Sequence, residues 1–597
     1  MAATEKESAP PEEMKEGPFE LLLFRPPPAA PHAASPHPGE PACRTSVARD
    51  TTVLQGARAA GFPIGTDCGG FGKCTRCRVI PLSRPGGSGC APAWLAPPTP
   101  AERTQLSPED LGAGWRLACQ VRVQGSLAVL VPCPEDRPVR KTIDTSLPVR
   151  LDPWADLGGP RPSPARGAQR AYGAVLDIGT TNVCGYLIDL ETGVLMAEAW
   201  RPNGQRAWGA DLMTRVLAAS PPEAGGGGAR GALTRAIRHD ADMILTDLLR
   251  SIRGRRRQVA GLVFAGNSVM HHLFMGMPVE SFGSAPYAPL TSEGVAFCPR
   301  DLGIRLSASA KAHFLPLLAG FVGADAVGVA LALGLDRPER NSVALALDLG
   351  TNVEILLGTP GGDIWCASTP AGPAFEGGEI RCGMGAVPGA ICAVDIGEDD
   401  LILRTVEGLP AVGICGTGLI EATAALLDGG VIDPTGKFRE AGALRKTLPG
   451  SLFGRLVDGN GARGILLATG GKAGPVILGQ WDVRKLQAAK AAVRAGADLL
   501  LKEAGFQWEE VKEIFLAGAF GAHLRPERAG RIGLFPPILA GRVEVVNNAA
   551  ASGARLALLS RAELARATAL KGKARYVELA GRKEFQESFL EALPFPA

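Results

Sequence analysis

No apolar run in this sequence is long and clean enough to span a bilayer. The best stretch, Leu315 to Gly334, is interrupted by Asp325 and by glycines. Net charge is nearly absent as well. The 63 Lys and Arg against 60 Asp and Glu leave +3, too little to imply a strong pull toward nucleic acid or a membrane surface. The first twenty residues lack the apolar core of a secretory signal. They carry Glu5, Glu7, Glu12, Glu13 and Glu16, where a mitochondrial presequence avoids acids, so the expected location is cytoplasmic. In a reducing compartment the 13 cysteines hold metal or sit buried; they seldom pair.

What is present begins with four cysteines. Cys68, Cys74 and Cys77 form C-x5-C-x2-C, and Cys119 follows after a long gap in Leu117-Ala118-Cys119-Gln120. One triple and one singleton, with Gly65, Gly69, Gly70 and Gly72 around the triple, lie close to the plant-type [2Fe–2S] pattern. A structural zinc site is the rival, but zinc held by four cysteines usually comes as two C-x2-C hooks. Cys43, Cys90 and Cys133 fall outside the pattern and are expected to be ordinary thiols.

The surrounding chain has a matching order. Glu20–Phe24 predicts a strand, Thr45–Ala48 a second, and Thr51–Ala60 a helix with Asp50 as N-cap and Gly61 as its stop. Then come the cysteine loop and a closing strand at Leu127–Val131, which together give the order of a β-grasp ferredoxin. Two Pro-rich stretches, Pro26–Pro41 and Pro81–Pro100, are expected as flexible insertions. The predicted organisation is a disordered segment 1–17, a ferredoxin-like domain 18–137, a linker 138–170, and two α/β lobes, 171–338 and 339–597.

The lobes carry an internal repeat. Val175-Leu176-Asp177-Ile178-Gly179-Thr180-Thr181-Asn182 recurs as Ala346-Leu347-Asp348-Leu349-Gly350-Thr351-Asn352. Each copy is an apolar strand that delivers a carboxylate to a glycine turn. Backbone N–H and hydroxyl groups there can face phosphate, and the Asp can hold Mg²⁺ through water. One such element is a weak signal; two at domain-scale separation suggest paired halves around a nucleotide. Gly416-Thr417-Gly418, at the start of a predicted helix, and Gly518, after an apolar strand, add glycine-rich segments suited to a nucleotide cleft. Cys366, Cys382, Cys392 and Cys415 lack any C-x2-C hook and are expected in the core, and His271-His272 is expected in packing or at an interface.

The doubled Asp-x-Gly-Thr element resembles the superfamily of acetate and sugar kinases, chaperone ATPases and actin. With a ferredoxin ahead of it, the chain resembles the reductive activators of corrinoid proteins. Further motifs carry the resemblance: Gly209-Ala210-Asp211, Gly266-Asn267-Ser268-Val269-Met270-His271-His272, Ala319-Gly320-Phe321-Val322-Gly323-Ala324-Asp325, Ala371-Gly372-Pro373-Ala374-Phe375-Glu376-Gly377 and Leu486-Gln487-Ala488-Ala489-Lys490. The resemblance implies a multidomain α/β protein, a β-grasp [2Fe–2S] ferredoxin followed by a two-lobed ribonuclease H-like ATPase. In such a protein ATP drives an electron from the cluster to a partner's Co(II) corrinoid, restoring Co(I). It implies cluster ligation by Cys68, Cys74, Cys77 and Cys119. It implies phosphate loops at Asp177, Gly179, Thr180 and Thr181 and at Asp348, Gly350, Thr351 and Asn352. Gly416, Thr417, Gly418 and Gly518 would line the nucleoside side. The resemblance also implies a homodimer and an electron donor yet to be identified. No Asp-x-His-x-x-Gly run is present, so the cobalamin would belong to another protein.

Three features depart from that family. Val353 stands where Gly is usual, a residue expected to crowd a phosphate or alter the turn. Asn547 stands where Gly is usual, and the ferredoxin has its Pro-rich insertions. A plain electron-transfer protein with a non-hydrolysing or small-molecule-kinase-like domain is the alternative that Val353 leaves open.

Overall fold

The computed structural model describes residues 18–24, 41–62, 64, 70–72, 75, 77–82, 92, 94–106, 108–131, 142–155, 170–446, 448–459, 462–470, 474–518 and 524–597. The chain divides into two compact units. One is Met1–Pro134 with the short piece Arg206–Ala210; the other is Glu135–Gln205 with Asp211–Ala597.

The first unit is built on a five-stranded sheet. Its order is Cys43–Val47, Phe19–Phe24, Leu127–Leu130, Arg78–Leu82, Arg116–Leu117. The strand Phe19–Phe24 pairs antiparallel with Cys43–Val47 and parallel with Leu127–Leu130. Alternation sends Leu21, Leu23, Val79 and Val129 into one core with Val53 and Leu54 of the helix Val53–Ala59. That helix starts later than Asp50. Its N-cap is Thr52, whose hydroxyl accepts the Gln55 N–H while the Gln55 side chain accepts the Thr52 N–H. Asp50 instead takes a left-handed conformation with φ 62°.

The Pro26–Pro41 insertion lies almost wholly outside the described residues, and so does the middle of the second one. The second has ordered ends. Pro81 and Leu82 finish a strand, and Pro100–Gln105 is a helix capped by Thr99. This helix buries Glu102 completely against Arg116. Burial alone would raise the Glu102 carboxyl. Hydrogen bonds from Arg116 and from the Thr99 and Leu117 amides hold it below the usual carboxylate range.

In the second unit two six-stranded sheets repeat one plan. In one, the order Val259–Gly266, Tyr172–Ile178, Asn182–Asp189, Leu195–Pro202 runs from its interior to one edge. In the other, the matching strands are Val511–Gly518, Val343–Leu349, Asn352–Gly358 and Ile364–Pro370. Both strands that deliver an Asp are buried on both faces, which accounts for their unbroken apolar composition. The helices Ala324–Leu333 and Ala549–Leu559 pack so closely that a Cβ on Gly328 would lie 2.2 Å from the Ala550 carbonyl oxygen. Residues 142–155, expected within the linker, are bonded to this unit. The Asp144 N–H donates to Ser552 and the Trp154 indole to the Ala557 carbonyl.

The helix Gln480–Ala504 begins at Gln480, because the Asp482 carboxylate accepts the Gly479 N–H and starts the helix there. His271 and His272 are fully buried; His272 contacts the Ser268 carbonyl and accepts the Leu290 N–H. Cys366, Cys392 and Cys415 are buried, with burial pushing Cys366 up to about 12 and Cys415 up to about 11. Cys382 is half-buried. Among the described residues, no helix is long and apolar enough to cross a membrane.

Candidate functional site: a cysteine pair and a two-hairpin cleft

Of the four cysteines, Cys68 and Cys74 lie outside the described residues. Cys77 immediately precedes the strand Arg78–Leu82, and Cys119 follows Arg116–Leu117, the next strand in the sheet. The Ala118 N–H donates to the Cys77 carbonyl, and the two sulfurs come to 3.5 Å. Two thiolates on one tetrahedral metal, each about 2.3 Å from it, sit about 3.8 Å apart. The pair is therefore spaced to share one tetrahedral metal. The buried Glu102–Arg116 pair holds this segment, since Glu102 also accepts the Leu117 N–H two residues before Cys119.

The repeated elements form two hairpins that line one open cleft. In the first hairpin three residues connect Tyr172–Ile178 to Asn182–Asp189; in the second, two connect Val343–Leu349 to Asn352–Gly358. Asp177, Gly179 and Thr180 line the cleft from one side, and Asp348, Gly350, Thr351 and Asn352 from the other, with Gly518 beside them. Gly518 pairs with Leu349 at φ +121°, and Gly266 pairs with Ile178 at φ +156°. A Cβ would lie 2.3 Å from the Leu349 oxygen at the first and 2.7 Å from the Ile178 oxygen at the second, so each Asp hairpin has a glycine packed at its end.

Thr181 reaches the cleft through Glu376. One oxygen of the Glu376 carboxylate accepts from the Thr181 hydroxyl at 3.0 Å and from the Thr351 hydroxyl at 2.6 Å. Gly416, Thr417 and Gly418 are buried at the start of the helix Gly416–Asp428, outside the cleft lining. Their small size has a packing cause: a Cβ on Gly416 would lie 1.7 Å from the Phe375 oxygen, and one on Gly418 2.0 Å from the Ile391 oxygen.

Two departures acquire definite places. Val353 is fully buried, paired with Leu349 and Thr369 and packed in the lobe's core, so it does not face a phosphate. Val183 holds the same place in the first hairpin, opposite Ile178. Asn547 is exposed, whereas its neighbour Asn548 is buried.

Asn548 was not singled out by the sequence. It caps the helix Ala549–Leu559 by accepting the Ala551 N–H, and its amide donates to Asp177 at 2.8 Å and to the Tyr186 hydroxyl oxygen at 3.1 Å. Asn267 caps Ser268–Met275 and donates to the Thr180 hydroxyl. Asn203 donates to the Gly179 carbonyl and buried Arg215 to the Thr180 carbonyl. Asp325 and Glu354 complete the cleft beside Asp348. Asp325 keeps some solvent contact, yet the protein packed about its carboxyl raises it to about 7, and the nearby Asp348 and Asp177 charges add to the shift. Burial raises Glu354 well above the ordinary range, with Asp325 and Asp348 contributing. Among the described residues no three such side chains converge closely enough to hold a metal ion by themselves, so a hard cation here would take its remaining ligands from water or phosphate. An Asn just before a helix is the one sequence signal that could have marked Asn267 and Asn548.

Three family models match the chain in succession: a 2Fe-2S iron-sulfur cluster binding domain over 38–124, the RACo middle region over 172–338, and the C-terminal ASKHA domain of RACo over 342–597. The corrinoid activation enzyme RamQ of Eubacterium limosum is 33% identical over 423 residues, covering 70% of this chain and 69% of that protein. The [Co(II) methylated amine-specific corrinoid protein] reductase of Methanosarcina barkeri is 28% identical, covering 65% and 70%. A solved structure described as a reductive activator for corrinoid,iron-sulfur protein superposes with a TM-score of 0.66 at 25% identity, covering 97% of this chain and 98% of that one. The ferredoxin sheet, the doubled Asp hairpin and this kinship together make the chain a member of the family of reductive activators of corrinoid proteins.

Proposed function

We infer that this chain couples ATP hydrolysis to a one-electron transfer from its [2Fe–2S] cluster to the Co(II) corrinoid of a separate protein, which becomes Co(I). The observation that carries this reading is the cleft: two Asp-Gly-Thr hairpins from two related sheets, on the same chain as a 2Fe-2S domain. Cys68, Cys74, Cys77 and Cys119 are the proposed cluster ligands, and the cluster supplies a reversible one-electron store. Asp177 and Asp348 are the proposed holders of hydrated Mg²⁺. Amides and hydroxyls of Gly179–Thr181 and Gly350–Asn352 would face the phosphates, and Gly518 would stand on the nucleoside side, with the buried Gly416–Gly418 segment behind it as packing. Reduction of Co(II) is uphill for an ordinary ferredoxin. The driving force would come from nucleotide acting on an element that has two arrangements. A homodimer, a cytoplasmic location and a separate electron donor belong to the same proposal.

The test mixes reduced protein, MgATP and candidate corrinoid proteins and follows cobalt by its optical spectrum. Co(I) should form only with ATP present. Cys77→Ser should remove the cluster absorption and leave nucleotide binding intact; Asp177→Ala should do the reverse. Zinc in place of iron and sulfide in anaerobically prepared protein would falsify this assignment.

A further inference from the structure

The two Asp hairpins are joined at Glu376. This residue ends the turn Pro373–Glu376, which is tied to the second hairpin by the Gly372 N–H donating to the Thr351 carbonyl at 3.0 Å. Its carboxylate oxygen accepts hydrogen bonds from Thr181 of one sheet and Thr351 of the other. Each hydroxyl has a single hydrogen, and both are used here. Turned this way, the two threonines can offer the cleft only lone pairs. A phosphate oxygen needs a donor, and the negative carboxylate in the same cleft repels it.

We propose that Glu376 is a nucleotide-displaced latch: without nucleotide it joins the two Asp hairpins, and the phosphates of bound nucleotide take over its two threonine donors and set it free. The proposal rests on the cleft being the nucleotide site. The released turn 371–377 then differs between the empty and occupied states, and its neighbours read that difference. Phe375, next to the latch, packs against Gly416 at the start of the helix Gly416–Asp428. The shift would therefore pass into the second lobe's core rather than stop at the cleft.

The experiment uses the full chain. Affinities for MgADP and for a magnesium-bound non-hydrolysable ATP analogue are measured calorimetrically for the native protein, Glu376→Gln and Glu376→Ala. Hydrogen exchange is followed at residues 371–377. Removing the competing carboxylate should tighten ATP-analogue binding roughly ten-fold in Glu376→Ala and less in Glu376→Gln, whose amide oxygen can still accept from both threonines. Nucleotide should speed exchange at 371–377 in the native chain, and Glu376→Ala should exchange fast without it. Unchanged or weaker binding in both variants overturns the latch, since Glu376 would then be a bystander or itself a ligand of metal or phosphate. Slower exchange at 371–377 in the nucleotide-bound native chain also overturns it, and this readout does not require either variant to fold. Absence of nucleotide binding by the native chain overturns the cleft assignment as well as the latch. Native binding with the wrong response to substitution overturns the latch alone.

Discussion

The two Asp hairpins share a backbone plan and differ in electrostatic company. In the first, Asp177 accepts a hydrogen bond from buried Asn548, and the loop carbonyls and hydroxyl are held by Asn203, Arg215 and Asn267. In the second, Asp348 faces Glu354 across the hairpin and has Asp325 close by, so acids gather where the first hairpin has amides. The extra residue of the first loop lets Thr180 bind Asn267 while Thr181 reaches Glu376. The shorter loop has Thr351 alone. One hairpin is thus held by the amides of Asn203, Asn267 and Asn548 and by the Arg215 guanidinium, and the other stands among carboxylates. The sequence repeat conceals this, because the company comes from distant elements.

The contrast is sharpest if each Asp is made neutral. Asp348→Asn and Asp177→Asn should both slow ATP hydrolysis, by roughly a hundred- to a thousand-fold, the range for removing one preorganised charge contact. Without nucleotide they should part company. Asp348→Asn relieves like-charge crowding with Asp325 and Glu354 and should raise the melting temperature. Asp177→Asn keeps an oxygen that accepts from Asn548 and should leave melting nearly unchanged. If Asp348→Asn melts lower than the native chain, the second hairpin is not the strained one.

Asn548→Ala tests the first hairpin from its supporting side. It removes a helix cap, worth about 1 kcal/mol, and a hydrogen bond to a charged carboxylate, worth about 2 kcal/mol. Chemical denaturation of the nucleotide-free chain should show a loss of about 3 kcal/mol. A loss confined to the cap value would mean that Asp177 is not held by this amide.

These supports explain how far the sequence could be read. The Asp-Gly-Thr repeat and the cysteine spacing are local, so both lobes and the ferredoxin were legible from them. Val353 invited a concern about phosphate crowding that the repeat itself answers, since Asn182-Val183 matches Asn352-Val353 and both valines are buried opposite the end of an Asp strand. Asn548 and Glu376 were illegible for a physical reason. Asn548 meets Asp177 across 371 residues of chain, and Glu376 meets Thr181 across 195, so only the folded sheets bring them together. Glu102 was lost differently. Its Pro-rich surroundings suggested a flexible insertion, but Thr99 caps a helix there and turns the carboxylate onto Arg116.

The smallest effect is a pH dependence that separates the two hairpins without a mutation at either Asp. Asp325, raised to about 7 by the protein packed around it and by Asp348 and Asp177, titrates near 3.8 once unfolded. Between those values the folded state binds more protons than the unfolded one. Its stability is therefore full in acid and is lost as pH rises toward 7. From pH 6 to 7.5 the loss should be about 1 kcal/mol, seen as falling melting temperature in metal-free protein. Glu354, raised in the same direction, steepens the fall. His271, pushed down to about 3 by burial, acts with the opposite sign through its unfolded-state titration near 6.5 and offsets part of this fall, so the Asp325 contribution is read as the difference between the native chain and Asp325→Asn. Saturating Mg²⁺ and ADP should flatten the slope, because a cation among the carboxylates favours their ionised forms. Asp325→Asn should reduce the slope without any ligand, leaving the part that Glu354 supplies. A slope undiminished in Asp325→Asn would place the titrating group elsewhere and remove the electrostatic difference between the hairpins.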